Sequence, residues 1–196
     1  MTSRGEDLST DRDWRESTGC TSHRLIASVT GFIGLGSNLG DRESFLRQAC
    51  ESLATTEHLS IDRVSAIYET EPWGYREQPA FLNAVARIET SLGPLQLFLA
   101  MQRIERQMGR TRQFRWGPRE IDLDLLLYDK SAVDRPGLTV PHPAMYERGF
   151  VLVPLAEIAP GLVLPTGEPI DRAAERLGPA VKQTNLDPLV RHQVQG

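Results

Sequence analysis

Residues 110 to 129 read RTRQFRWGPREIDLDLLLYD, and the end of that stretch decides the fold. From Ile121 to Tyr128 it has the pattern of a β-strand, whose side chains alternate faces with a period of two. Ile121, Leu123, Leu125 and Leu127 then share one face. Asp122 and Asp124 share the other, with Cα atoms about 6.7 Å apart. Two carboxylates so placed repel each other, and partial burial adds several kcal/mol of desolvation per ion unless a cation neutralises them. Magnesium is the cation such a pair suits, because it takes hard oxygen ligands and usually bridges one or two carboxylates to substrate phosphates. A pair at this spacing can hold two such ions about 3.5 to 4 Å apart.

Upstream of that strand, Ser91, Gly93 and Pro94 announce a helix start and Gly109 its end. Leu97, Met101, Ile104 and Met108 form its apolar stripe, with Gln102, Arg103, Glu105 and Arg106 on the opposite face. Further back, Ser28 to Leu35 reads as a strand, Arg42 to Thr55 as a helix, residues 59 to 69 as an alternating strand, and Phe81 to Ile88 as another. The loop TEPWGYREQP at 70 to 79 separates the last two. Beyond the Asp pair, Val140 to Pro143 punctuates a loop, Phe150 to Ile158 is a short apolar segment, and residues 170 to 177 form a last helix. The order βαββαβ is the split βαβ of an α+β, ferredoxin-like fold: an antiparallel sheet with helices on one face, followed here by a C-terminal extension.

Residues 1 to 27 are polar and almost without apolar periodicity, so they are expected to form a disordered tail ahead of a single domain at 28 to 196. With 196 residues and a net charge of -4, the chain can bury a core without disulfides and has no overall attraction for nucleic acid or an anionic membrane. Cys20 and Cys50 lack partners at metal-ligand spacing and read as reduced thiols of a cytoplasmic protein. No apolar run approaches the length of a membrane span, and the N-terminus is not a secretory signal. The basic charge is local: Arg103, Arg106, Arg110, Arg112, Arg115 and Arg119 fall within 17 residues. Arg offers phosphate a planar bidentate fork that Lys lacks.

Two further stretches need weighing. Gly34, Gly36 and Gly40 invite a nucleotide-loop reading, but Leu39 stands where a dinucleotide fingerprint needs Gly, and no Gly-Lys-Ser/Thr follows. A tight strand-to-helix turn fits better, with Asn38 and Asp41 as turn and cap residues. In the loop from 70 to 83, Trp73, Tyr75 and Phe81 could stack a flat ligand. Phe81 and Asn83 share a strand face, and the Asn amide offers a heterocycle edge both a donor and an acceptor. An aromatic core with a structural Asn is the plainer alternative.

GLGSNLGDR at 34 to 42, QPAFLNAV at 78 to 85, RWGPREIDLDLLLYD at 115 to 129 and VPHPAMYERGFVLVPLAEIAP at 140 to 160 together resemble the hydroxymethyl-dihydropterin pyrophosphokinases. The resemblance covers about residues 30 to 165 and rests mainly on the last two segments. It implies transfer of the β,γ-pyrophosphate of ATP to the hydroxymethyl oxygen of 6-hydroxymethyl-7,8-dihydropterin, with release of AMP, in folate biosynthesis. Two magnesium ions at Asp122 and Asp124 would bridge the triphosphate, with Arg110, Arg119, Asp122 and Asp124 as the catalytic set. By position the ATP shell is Gln102, Glu105, Arg110, Arg112, Trp116, Arg119, Thr139, His142 and Arg148. The pterin shell is Gly36, Ser37, Asn38, Thr70, Trp73, Phe81, Asn83 and Phe150. Glu71, Trp73, Phe81 and Gly137 differ from residues common at those family positions, and the loop from Arg110 to Trp116 is one residue shorter than in some members.

Two rivals stand beside this reading. A two-metal nucleotidyl transferase also sets paired carboxylates on a ferredoxin-like sheet. An RNA-binding module shares the fold, but the chain lacks the basic and aromatic central-strand pattern such modules use. The expected partners are therefore small molecules, with no nucleic acid and no membrane, acting on a cytoplasmic monomer. The loops at 70 to 79 and 110 to 118 are expected to close over the bound substrates.

Overall fold

The computed structural model describes residues 28–72, 76–110, 117–178 and 181–190. Its central strand, β1 (Val29–Ser37), lies between β4 (Phe81–Thr90) and β5 (Asp122–Tyr128), and both pairings are antiparallel. The helix α1 (Arg42–Ala54) and the strands β2 (Leu59–Val64) and β3 (Tyr68–Thr70) precede β4, and α2 (Pro94–Gln107) follows it. This is the βαββαβ order, with one strand broken in two. A hairpin of β6 (Val133–Arg135) and β7 (Leu138–Val140), a 3-10 turn at Met145–Glu147, α3 (Gly149–Ile158), α4 (Ile170–Leu177) and β8 (Lys182–Gln183) complete the chain. The sheet order is β5-β1-β4-β3-β8, with β2 also pairing β4.

Period-two alternation sorts the sheet into two cores. Ile33 and Leu35 of β1, Leu82, Ala84, Ala86 and Ile88 of β4, and Leu123 and Leu125 of β5 join Leu46, Ala49, Cys50 and Leu53 of α1 and Leu97, Met101 and Ile104 of α2. On the opposite face Phe32, Val85, Leu126 and Leu127 meet Val151, Leu152, Leu155 and Ile158 of α3, with Ile170 and Ala173 of α4 behind them. Helices therefore cover both faces, not one as the motif order implied. The C-terminal extension forms the second layer, because the apolar stretch after Gly149 is helical and needs a sheet face to bury it. Each fully enclosed Leu or Ile on either face contributes about 1.5 to 3 kcal/mol.

Other expectations change locally. Residues 59 to 69 do not form one strand. Ser65 leaves the ladder, its Oγ accepting from the Val85 N–H at 3.0 Å, while Glu157 of α3 accepts from the Ala66 N–H and the Tyr68 hydroxyl. Leu127 does not share a face with Leu125, because the pairing of β1 with β5 shifts between Phe32 and Ile33. The extra residue, Leu126, turns toward α3 and Tyr128 returns to the first core. Gly34 and Gly36 lie inside β1; the turn comes later, at Gly40 with φ +61. Asp41 does cap α1, accepting from the Ser44 N–H at 3.1 Å. The tail expected at 1 to 27 lies outside the described residues.

Cys50 sits on the core side of α1 at 1% exposure, and burial pushes its thiol up to about 12. A thiol so protonated and enclosed is unreactive. Native protein treated with an alkylating reagent at pH 8 should leave Cys50 unmodified by peptide mass spectrometry, and denaturant should expose it.

Candidate active site

Where β1, β4 and β5 end, the face that carries Leu126 and α3 opens into a cavity of about 590 Å³. The floor is made by strand residues that alternation points outward: Gly34 and Gly36 from β1, Phe81 and Asn83 from β4, Asp122 and Asp124 from β5. Gly36 has to be small. A Cβ there would come within 3.2 Å of Asn83 Oδ1 and 3.9 Å of Asp122 Cβ, projecting into the floor between the aromatic and acidic halves.

The acidic half is held by cations. Asp122 pairs with Arg110 and with Arg119, each at 2.7 Å. Arg110 also pairs with Glu105, whose carboxylate accepts from the Leu123 N–H at 2.8 Å. That second contact ties α2 to β5 and explains why Glu105 is buried although it lies outside the apolar stripe of its helix. Burial raises the Glu105 pKa while Arg110 pulls it down. Asp124 has looser company: Arg148 Nη1 at 3.6 Å and His142 Nε2 at 3.9 Å. Burial first, and then the neighbouring Asp122 charge, push its carboxyl up to about 7. His142 is shifted down by its own burial and by Arg148, which favours the neutral imidazole.

This donor set fits magnesium. Two carboxylates, one of them short of a close counter-charge, leave room for a cation that takes its remaining ligands from phosphate and water. Among the described residues no group of three or more His, Cys, Asp or Glu side chains could hold a metal without such help.

The other half is a slot. Asn83 donates from Nδ2 to Thr70 Oγ1 at 2.8 Å, and Phe81 and Phe150 stand along the walls. The Arg148 guanidinium lies 5.6 Å from the centre of the Phe150 ring, so Arg148 joins the aromatic side to Asp124.

Most residues placed here from the sequence do meet around the one cavity: Gly36, Thr70, Phe81, Asn83 and Phe150 on the slot side, Gln102, Glu105, Arg110, Arg119, His142 and Arg148 on the charged side, with Asp122 and Asp124 between. Three others do not line it. Ser37 is fully buried, Asn38 is 1% exposed with its amide engaged elsewhere, and Thr139 is exposed on the hairpin beside Asp134. Trp73, Arg112 and Trp116 lie outside the described residues. Phe98, Pro136, Gly137, Leu126 and Glu71 also line the cavity. Phe98 was there to be found: it precedes Gln102 and Glu105 by four and seven residues, on one helical face.

A ferredoxin-like sheet that sets two carboxylates among arginines at its strand ends, beside an aromatic slot, defines a phosphoryl-group transferase of the two-substrate kind. Residues 32–160 match the model of the 7,8-dihydro-6-hydroxymethylpterin-pyrophosphokinase (HPPK) family, and the chain belongs to that family. A 2-amino-4-hydroxy-6-hydroxymethyldihydropteridine pyrophosphokinase of Bacillus subtilis is 53% identical over 65% of this chain and 76% of its own. One from Methylorubrum extorquens is 46% identical over 76% of this chain and 94% of its own. A crystal structure of an HPPK-DHPS in complex with substrates superposes with a TM-score of 0.62 at 14% identity, a likeness of fold. The match covers 76% of this chain but only 43% of that longer one.

Proposed function

We propose that this chain transfers the β,γ-pyrophosphate of ATP to the hydroxymethyl oxygen of 6-hydroxymethyl-7,8-dihydropterin, releasing AMP. Membership of a family named for that reaction supports it. The observation in the structure that carries it is one cavity with an acid-and-arginine half and an aromatic-amide half, sized for two small substrates side by side.

The chemistry is chiefly positioning and charge neutralisation. Asp122 and Asp124 would hold two magnesium ions, which supply charge neutralisation along the triphosphate. Arg110 and Arg119, already gathered at Asp122, provide planar forks for the phosphate oxygens. Glu105 fixes Arg110 from below, and Gln102 with Phe98 stands where the nucleoside would lie. Asn83, oriented by Thr70, reads the pyrimidine edge of the pterin, while Phe150 stacks on its face. Arg148 lies at the join, between the ring that stacks and the carboxylate that binds metal. Thr139, Arg112, Trp116 and Trp73 complete this assignment by position in the family motif.

No helix among the described residues is long and apolar enough to cross a membrane; the proposed enzyme is a cytoplasmic monomer with small-molecule partners. Incubation with ATP, Mg²⁺ and hydroxymethyl-dihydropterin should yield AMP and a pyrophosphorylated pterin. Free pyrophosphate with an adenylylated acceptor would instead make the chain a nucleotidyl transferase.

A further inference from the structure

At Ser37 the pairing of β1 with its neighbours ends, on β4 at Leu82 and on β5 one pair earlier at Asp122. The next residue continues the cross-links with its side chain. Asn38 Nδ2 donates to the Pro79 carbonyl and to Gln78 Oε1, each at 3.0 Å, and Oδ1 accepts from the Arg119 N–H at 2.8 Å. Its backbone N–H also donates to the Arg119 carbonyl at 3.2 Å. Pro79 is the foot of the loop that enters β4, and Arg119 is the foot of the loop that enters β5. One carboxamide therefore bridges the two feet.

The orientation of that amide is fixed by chemistry. The Gln78 side chain could turn over, but the Pro79 carbonyl can only accept and the Arg119 N–H can only donate. A residue at 38 must offer a donor to one side and an acceptor to the other within a side chain of this length. Asp can satisfy only Arg119, and Ala satisfies neither. At 1% exposure the bonds are shielded from water, so a lost partner is not readily replaced by solvent.

What each foot carries gives the bridge its meaning. Two residues beyond Pro79 is Phe81, in the aromatic half of the cavity, and the Arg119 guanidinium pairs with Asp122 in the acidic half. Arg42 supports the first foot separately, donating to the Ala80 carbonyl at 2.8 Å and pairing with Glu69 at 2.9 Å. Asn38 reaches both feet. We infer that Asn38 is a positioning residue, outside the cavity, that clamps the entry loops of β4 and β5 to the end of β1 and so sets the aromatic wall and the arginine that serve opposite substrates. This places Asn38 behind the pterin subsite rather than in contact with the ligand, and it rests on the two-substrate reading above.

The two arms of the clamp can be cut separately. Asn38→Asp keeps the acceptor for Arg119 and turns its other carboxylate oxygen against the Pro79 carbonyl and Gln78 Oε1; Asn38→Ala cuts both side-chain arms and leaves only the backbone bond to the Arg119 carbonyl; Gln78→Ala trims only the first. Amide hydrogen exchange on the substrate-free protein should show the Arg119 N–H protected in wild type and in Asn38→Asp, and exchanging faster in Asn38→Ala. In steady-state assays Asn38→Asp and Gln78→Ala should raise KM for the pterin about threefold to tenfold, with KM for ATP within about twofold of wild type. Asn38→Ala should raise both KM values and lower kcat. These factors match the net contribution of one or two buried hydrogen bonds. Equal effects of Asp and Ala on both substrates and on Arg119 exchange would mean that Asn38 only stabilises the fold, and the inference fails. It fails too if wild type turns over but none of the variants differs from it. Absence of wild-type turnover with the pterin would instead defeat the proposed reaction, while the exchange pattern still reports on the clamp.

Discussion

Asp124→Asn is expected to abolish turnover and, in the absence of divalent cations, to make the folded protein harder to unfold at neutral pH. Both effects come from one carboxylate. Its place beside Asp122 at the cavity floor makes it the natural second oxygen donor for magnesium, and an amide of the same shape binds that ion far more weakly. Changes that merely misorient a metal ligand cost about 10- to 100-fold, so loss of a ligand should cost at least the larger figure. Activity above about a tenth of wild type would remove Asp124 from metal ligation. The stability effect has a definite pH window. Burial and the Asp122 charge push the Asp124 carboxyl up to about 7 in the folded protein, against about 3.9 for an ordinary Asp, so between those values the folded protein holds this proton more tightly than the unfolded chain does. The contribution of Asp124 to stability is then fully present below about pH 4 and is lost as pH rises through 7. The Asn variant does not titrate. Denaturant unfolding without magnesium should show the two proteins drawing apart from pH 4 to pH 7, the variant more stable, with a constant difference above that. A variant less stable at every pH would mean that attraction from Arg148 and Arg110 outweighs burial and the Asp122 charge.

Lost activity paired with gained stability is the outcome expected where a chain departs from what folding alone prefers. It also shows which parts of the site were legible beforehand. Asp122 with Asp124, and Phe81 with Asn83, were readable because strand geometry puts alternate residues on one face whatever lies around them. The bulge at Leu126 was not, since it is a mismatch between β5 and β1 and neither strand records it alone. Glu105 does line the cavity as its place in the family motif implied, but its burial was not legible for a similar reason: its partners, the Leu123 N–H and Arg110, lie beyond the end of its own helix. The β6–β7 hairpin did carry a local signal. Pro136 and Gly137 suit the two central positions of a tight turn, and Gly137 has φ +83, but the flanking strands are only three residues each. Helices on the second face depended on Phe150 to Ile158 being helical, which a short, uniformly apolar run does not announce.

Arg119→Ala should lower kcat/KM by about 2 to 4 kcal/mol in transition-state free energy, the usual cost of losing a preorganised group aimed at developing phosphate charge. The geometry argues for a kinetic effect over a structural one. The guanidinium rests on Asp122 at 2.7 Å, but the same carboxylate keeps Arg110 at 2.7 Å, so the substitution does not strand a buried charge. The backbone of residue 119 remains fastened to Asn38 through its N–H, so the foot of the loop stays where it is. The melting temperature of Arg119→Ala should therefore change little while turnover collapses. Arg119→Lys separates charge from shape: a Lys restores the cation but not the planar fork, and should recover only part of the lost rate. Full recovery by Lys would reduce the role of Arg119 to a point charge. An unchanged kcat/KM in Arg119→Ala would take Arg119 off the phosphates and leave Arg110 and Arg148 as the cations that face the transferred group.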